Sequence, residues 1–271
     1  MPELPEVETT VRGLRAVLTG ARLAAVELHR AGLRRAFPEG LVQRLVGARI
    51  TGIERRAKYG LIATDRDDTL VFHLGMSGRM RLDPGEIGKH DHVVFTTDAA
   101  RVVAFNDARR FGSLDLVPTA SLPDYAPFAE LGPEPFGEAL TPEYLRAAFA
   151  GRIAPAKALL LDQRVIAGLG NIYVCEALFL ARIHPDRAGG RVPRAKLDAL
   201  IPAIRSVLTA AIEAGGSSLR DYAQVDGELG YFQKQFAVYG REGQPCPRCE
   251  RKVKRIVQSG RSSFFCSWCQ R

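Results

Sequence analysis

Two groups of residues in this 271-residue chain have types and spacings suited to chemistry. Near the carboxyl end, Cys246 and Cys249 form one CxxC pair and Cys266 and Cys269 another, so four of the five cysteines fall within the last 26 residues. Each pair offers two thiolates from one tight turn. Two such turns facing each other make the closed tetrahedral set that a single structural Zn2+ accepts, with no position left open for water. Two disulfides would use the same four residues. However, no secretory segment precedes them, and Glu3, Glu6 and Glu8 stand where a basic leader would be required, which favours a reducing, cytoplasmic setting.

At the other end Met1 is followed by Pro2, and a small second residue normally lets the initiator methionine be removed. The exposed terminus would then be a secondary, nucleophilic amine. An iminium formed from it has no N–H to lose, so it stays cationic and withdraws electrons. An α-amino group titrates near about 7.7–8.0, against about 10.4 for lysine, so little tuning is needed to present it unprotonated. Glu3 and Glu6 follow closely and could supply acid and base functions. Taken alone, Pro-Glu at a terminus is the ordinary start of a helix.

The elements that must position these groups change character along the chain. Val7, Val11, Leu14 and Leu18 recur at spacings of four, three and four, which predicts a helix burying one face and ending at Gly20. From Leu23 to about Pro118 the pattern becomes short β-rich runs (LAAVELHR, ARITGIERRAKYGLIAT, TLVFHLGMSGRMRL, HVVFTT, RVVAF, SLDLV) with no helix between them, which points to an antiparallel sandwich or barrel. Six prolines from Pro118 to Pro142 suggest a linker. Helical patterns follow: PEYLRAAFA with Thr141 as N-cap, AKALLLDQRVIAG, IYVCEALFLARI and KLDALIPAIRSVLTAAIEAGG. The middle two are separated only by Leu169, Gly170 and Asn171, a tight turn whose backbone amides could face a phosphate. Between the CxxC pairs, Val253 to Val257 and Ser262 to Phe265 predict a zinc-pinned hairpin turning at Ser259 and Gly260, with Arg261 beside its tip.

Charge narrows the partner. The formal net charge is +8, and from Arg241 onward eight Lys or Arg stand against two Glu. So small a basic hairpin has little core of its own, and its charge fits a polyanion, most simply nucleic acid. The hydrophobic share of 46% and charged share of 25% are those of a globular protein, and no apolar run approaches the ~20 residues of a membrane span.

Together these residues resemble the formamidopyrimidine-DNA glycosylases, bacterial enzymes that excise oxidised purines such as 8-oxoguanine. The resemblance is carried, in family order, by PELPEVE (2–8), RRAKY (55–59), HLGMSG (73–78), KHDH (89–92), RRFG (109–112), LGPEP (131–135), GLGNIY (168–173), IHPDR (183–187), VYGREGQPC (238–246) and the two CxxC pairs. It implies an α+β multidomain fold, a helix on an antiparallel β-sandwich followed by a helix-two-turns-helix domain and a four-cysteine zinc-finger β-hairpin, with DNA in the cleft between. The expected divisions are residues 1–132, a linker and first helix over 133–150, residues 151–237 with a covering loop at 215–230, and the zinc finger at 238–271.

The resemblance also implies roles. Pro2 would attack C1′ of the damaged nucleotide and form a Schiff base while Glu3 protonates the sugar ring, Lys58 would serve β-elimination, and Arg261 would serve δ-elimination. Met76, Arg109 and Phe111 match the trio that fills the hole left by an extruded base. His90, Arg152, Lys157 and Asn171 are carried over as DNA-backbone contacts; a metal pair of His90 with His92 lacks a third ligand. One zinc ion, damaged duplex DNA as partner, no membrane and a monomeric, nucleoid-associated protein complete the expectation. Ala108 stands where the family often has proline, and Cys175 where a polar residue is common; the latter is expected to be a small buried thiol. An endonuclease-eight type acting on oxidised pyrimidines is the nearest alternative, disfavoured by PELPE in place of PEGPE and by the long loop. A zinc-ribbon DNA binder without catalysis would need neither Pro2, Glu3, Lys58 nor Arg261.

Overall fold

The computed structural model describes residues 2–218 and 223–271. It divides into two compact units, residues 1–129 with 212–231, and residues 130–211 with 232–271.

The first unit opens with helix α1 (Leu4–Leu18), on which Val7, Val11, Leu14 and Leu18 are all buried, as their spacing predicts. Pro5 lies in the first turn, where its missing N–H would have had no helical partner. Strand β1 (Leu23–Leu28) and a five-residue helix α2 (Leu41–Leu45) precede seven further strands: β2 (Ile50–Arg56), β3 (Tyr59–Thr64), β4 (Asp68–His73), β5 (Arg79–Leu82), β6 (Asp91–Thr97), β7 (Val102–Asn106) and β8 (Ser113–Pro118). They form two four-stranded antiparallel sheets, β1-β6-β7-β5 and β2-β3-β4-β8. One apolar core joins them: Val26, Phe95 and Phe105 from the first sheet pack with Ile53, Ile62 and Phe72 from the second and with the buried face of α1. This is the expected β-sandwich with a leading helix. Val225, from the returning segment, belongs to the same core.

The proline-rich stretch is only partly a linker. Thr119–Asp124 forms a 3-10 turn and Ala126–Ala129 one turn of helix, α3. In the second unit α4 (Pro142–Phe149) is capped by the Thr141 hydroxyl, which accepts from the Tyr144 amide at 3.1 Å. Helix α5 covers only Ala156–Leu161, not the whole pattern to Gly168. The Gln163 side chain explains the stop: its Nε2 donates to the Leu161 and Leu169 carbonyls (3.2 and 2.8 Å) while its Oε1 accepts from the Gly168 amide (2.9 Å). One side chain thereby satisfies three backbone groups, two of which, the Leu161 carbonyl and the Gly168 amide, a helix continued to Gly168 would have paired internally. Helix α6 (Asn171–Leu180) follows and is buried on all sides, then α7 (Arg194–Glu213), and finally the hairpin of β9 (Lys254–Gln258) and β10 (Arg261–Phe265). Among the described residues no helix is long and apolar enough to cross a membrane.

Candidate active site

In the first unit Pro2 and Glu3 stand at the start of α1, and both are buried. Glu3 is the N-cap of α1 and forms a reciprocal capping box with Glu6: each side chain accepts from the other's backbone amide, with Glu3 N to Glu6 Oε2 at 2.8 Å. The second carboxylate oxygen of Glu6 accepts from the Ser217 amide at 2.8 Å. Glu6 thus ties the chain terminus to the 215–230 segment. That segment, expected as a covering loop of the second domain, is packed in the first unit: the Leu82 amide donates to the Val225 carbonyl at 2.7 Å. Leu219 to Tyr222, within the expected loop, lie outside the described residues, as does Met1.

The turn carrying Lys58 is braced from α1. Glu8, on the helix, accepts from Arg55 Nε at 3.0 Å, and Arg55 donates in turn to the Ala57 carbonyl at 3.0 Å. Ala57 has φ +52, so the turn between β2 and β3 is held in an unusual conformation by that guanidinium. Desolvation raises the Glu8 pKa, but Arg12 and Arg55 outweigh it and hold the carboxylate below its ordinary value.

Lys58 also belongs to a cationic cluster that sequence reasoning missed. Burial, with Lys58, Arg34 and Arg35 around it, lowers the His73 pKa from 6.5 to about 4. The ring is neutral, and its Nδ1 accepts from the Gly75 amide at 3.0 Å. The sign of the pH effect follows: the unfolded chain binds this proton below pH ~6.5 and the folded chain only below about 4. The His73 contribution to stability is therefore fullest above pH 6.5 and declines as pH falls to about 4, by at most roughly 3.5 kcal/mol at about 1.4 kcal/mol per unit. Denaturant unfolding at pH 7.5 and 5.0 should reveal this loss. His73→Gln, which can still accept from Gly75 but has no proton to gain, should flatten that part of the profile.

Met76 and Phe111 are both exposed, at 37% and 44%, although large and apolar. Their two turns touch. Gly75 has φ +61, and a β-carbon there would lie 2.4–2.5 Å from the backbone of Phe111 and Gly112, so only glycine permits the approach. The Arg109 guanidinium lies 5.1 Å from the Phe111 ring centroid. The structure thus brings Met76, Arg109 and Phe111 together at one surface. His92 is buried and its Nε2 donates to the Asp107 carbonyl at 2.8 Å; His90 stands on the preceding turn, its carbonyl accepting from the Asp107 amide at 3.0 Å. The position of Ala108, without proline, is held by these bonds to Asp107.

In the second unit a groove of about 330 Å³ is lined by Lys157, Ala158, Leu161, Asp162, Gln258, Ser259 and Arg261. Lys157 is 1% exposed, and its ammonium donates to the Ser262 carbonyl (2.9 Å) and Ser263 hydroxyl (2.6 Å). Asn171 Nδ2 donates to the same Ser262 carbonyl at 3.0 Å, and its Oδ1 is buried with no hydrogen-bond partner. Both side chains therefore fix the residue that follows Arg261 in β10, while Arg261 itself is exposed. Arg152 lies on the exposed turn after α4, its carbonyl accepting from Gly190 at 2.8 Å.

The four zinc cysteines fit their metal. Their sulfurs all lie within 4.8 Å of one another, with Cys246 to Cys269 at 3.9 Å and Cys249 to Cys266 at 3.5 Å. A tetrahedron with Zn–S bonds of ~2.3 Å has edges of ~3.8 Å. None of the four is disulfide-bonded in this structure, and a family match to a zinc finger over residues 243–271 supports the metal. Desolvation raises the Cys266 pKa, but the amides of Cys269 and Trp268 and the neighbouring thiols more than offset it and bring it to about 7. Among the described residues this is the one group of three or more His, Cys, Asp or Glu placed to hold a metal ion. Cys175 is buried on α6 in the apolar cluster that supports Cys246 and Cys266. Glu176 beside it accepts from the amides of Ala237, Val238 and Tyr239 at 2.8–3.0 Å and so ties the chain entering the ribbon to α6.

Three family models match the chain in succession: the formamidopyrimidine-DNA glycosylase N-terminal domain over residues 1–114, the H2TH domain of the same proteins over 131–223, and a zinc finger found in FPG and IleRS over 243–271. Formamidopyrimidine-DNA glycosylases of Novosphingobium aromaticivorans and Rhizorhabdus wittichii are 64% and 61% identical over the full length of both chains. Among solved structures, MutM (Fpg) of Thermus thermophilus aligns with a TM-score of 0.89 at 43% identity, covering 99% of this chain and 98% of that one. A Lactococcus lactis Fpg mutant bound to Fapy-dG-containing DNA aligns with a TM-score of 0.92 at 35% identity, covering 99% of each. With its sandwich, two-turn helical unit and four-cysteine ribbon matched in order, and with relatives at 64% and 61% identity aligned over its full length, the chain belongs to the formamidopyrimidine-DNA glycosylase family.

Proposed function

We propose that this protein excises oxidised purines from duplex DNA and then cleaves the strand at the resulting site, working as a cytoplasmic, nucleoid-associated monomer. The observation that carries the assignment is the chain terminus: Pro2 and Glu3 stand ahead of α1, with the neighbouring carboxylate of Glu6 committed to holding the backbone. Pro-Glu also starts ordinary helices, and the match of the chain to formamidopyrimidine-DNA glycosylases supports reading this terminus as catalytic.

With Met1 removed, the Pro2 nitrogen would bond to C1′ of the damaged nucleotide as the C1′–N bond to the base breaks, the base leaving with the bonding pair and taking up the proton that the Pro2 amine gives up. Glu3 donates a proton to the ring oxygen as the C1′–O4′ bond opens, giving a cationic iminium on Pro2. That cation acidifies C2′; loss of its proton expels the 3′ phosphate, with Lys58 assigned to proton transfer at this step. A second proton loss along the conjugated chain expels the 5′ phosphate, for which Arg261 is assigned. Water then hydrolyses the iminium, releasing the unsaturated sugar fragment and restoring Pro2. Zinc supplies no step; bound by Cys246, Cys249, Cys266 and Cys269, it holds the hairpin in shape. Met76, Arg109 and Phe111 would fill the hole left by the extruded base, and His90, Arg152, Lys157 and Asn171 would serve the DNA backbone, Lys157 and Asn171 through the hairpin carbonyl they hold.

A 5′-labelled duplex with a single 8-oxoguanine should be cut to a one-nucleotide gap bearing phosphate at both ends. A duplex with an oxidised pyrimidine should be cut far more slowly. Preference for the pyrimidine would favour the endonuclease-eight alternative, and no cleavage of either would leave only DNA binding.

A further inference from the structure

Met76, Arg109 and Phe111 sit on two turns separated in sequence by about thirty residues, and something must hold those turns in one register for three tips to act as a wedge. Asp107 is 0% exposed and does so with a single carboxylate. Its Oδ1 accepts from the Ser77 hydroxyl at 2.6 Å and the Arg109 amide at 3.2 Å, and its Oδ2 accepts from the Gly112 amide at 2.7 Å. The Ser77 hydroxyl accepts in turn from the Arg109 amide at 3.1 Å, closing a ring between the Met76 turn and the Arg109 to Phe111 turn. The backbone of Asp107 is fixed as well: its carbonyl accepts from His92 Nε2 at 2.8 Å and from the Arg110 amide at 3.3 Å. Arg110 has φ +60, so the chain is turned sharply between the two tips. All three donors to the carboxylate lie on one or other of the two tip-bearing turns.

We infer that Asp107 is a positioning residue for lesion extrusion: it sets the relative placement of Met76, Arg109 and Phe111 and acts on the reaction only through them. This rests on the assignment of those three residues to void filling. A buried carboxylate with three donors of this kind cannot be replaced by its own amide without conflict. Asparagine would turn an NH2 group toward either the Gly112 amide or the Arg109 amide, leaving a donor facing a donor. A displacement of about 1 Å at the tips suffices to cost on the order of 10²-fold in a step that depends on geometry.

The test compares Asp107→Asn and Ser77→Ala with the unmutated enzyme on two substrates. One is an 8-oxoguanine duplex with 2-aminopurine next to the lesion, whose fluorescence reports unstacking and insertion. The other is a single-stranded oligonucleotide with an abasic site, which has no partner base and no hole to fill, scored by borohydride trapping. Asp107→Asn is expected to lose the insertion signal and on the order of 10²-fold in duplex excision, while single-strand trapping stays within about threefold. Ser77→Ala removes one donor, leaves the carboxylate in place, and should show a roughly tenfold loss in the same direction, so the inference is tested even if the asparagine variant fails to fold. An unchanged insertion signal in folded variants overturns it, as does loss of single-strand trapping in proportion to duplex excision. A Met76→Ala, Arg109→Ala, Phe111→Ala triple variant that keeps the insertion signal would instead overturn the void-filling assignment itself.

Discussion

Pro2→Gly is expected to abolish the borohydride-stabilised adduct with a lesion duplex and to slow strand cleavage by on the order of 10³-fold or more, with zinc content and duplex affinity preserved. Glycine keeps an α-amine at the terminus, so the substitution isolates what the ring contributes. A secondary amine yields an iminium that cannot lose an N–H proton, whereas the imine from glycine can relax to a neutral form that draws far less electron density from C2′. The backbone around residue 2 should survive, because the capping box of Glu3 with Glu6 and the Glu6 bond to Ser217 involve neither the proline ring nor its nitrogen. A glycine variant that cross-links at the unmutated rate would place the nucleophile elsewhere in the chain.

Removing the metal should have the second large effect. Cys246→Ser, or exhaustive chelation, is expected to unfold the β9–β10 hairpin and weaken lesion-duplex binding by at least ~10²-fold. A structural zinc contributes roughly 10–16 kcal/mol to the fold of a small ribbon, whereas an isolated two-stranded hairpin is marginal at best. The bonds from Lys157 and Asn171 to Ser262 and Ser263 hold the hairpin as well, but at about 1.5–3 kcal/mol for a charged bond and about 1 for a neutral one they cannot substitute for the ion. Circular dichroism, metal content and a gel-shift titration on the same sample would check this. A metal-free protein that still binds and nicks would show that the ribbon does not depend on zinc.

Much of this molecule is legible from local pattern. The spacing of Val7, Val11, Leu14 and Leu18 gave α1, short β-rich runs broken by turn residues gave the strands, and the Cys246 to Cys269 spacing gave a site whose sulfurs sit at zinc distances. Thr141 was identifiable as a cap because capping is a three-residue interaction. What escaped depends on residues far apart in sequence. Glu6 looks like an acid beside a nucleophile, yet its second oxygen is taken by an amide 211 positions away. Lys157 looks like a surface cation for phosphate, yet its charge is buried under a hairpin more than a hundred residues downstream. Asp107 is one acid among many until Ser77 and Gly112 are placed around it, and the neutral state of His73 depends first on its burial in the folded unit and then on Lys58, Arg34 and Arg35, which come from two distant segments. The short α5 is the local exception: its apolar pattern continues to Gly168, but Gln163 diverts the backbone into a turn.

The return of residues 212–231 to the first unit bears on how the polypeptide matures. Val225 fills space against Gly13, where even a β-carbon would come within 2.4 Å of it, and Leu82 finds its amide partner on the same residue. A nascent chain leaving the ribosome therefore presents an unfinished sandwich until most of the message has been translated. The earliest-made half waits, with part of its interior open to water, for its closing piece, and over that interval it would be an obvious client for chaperones.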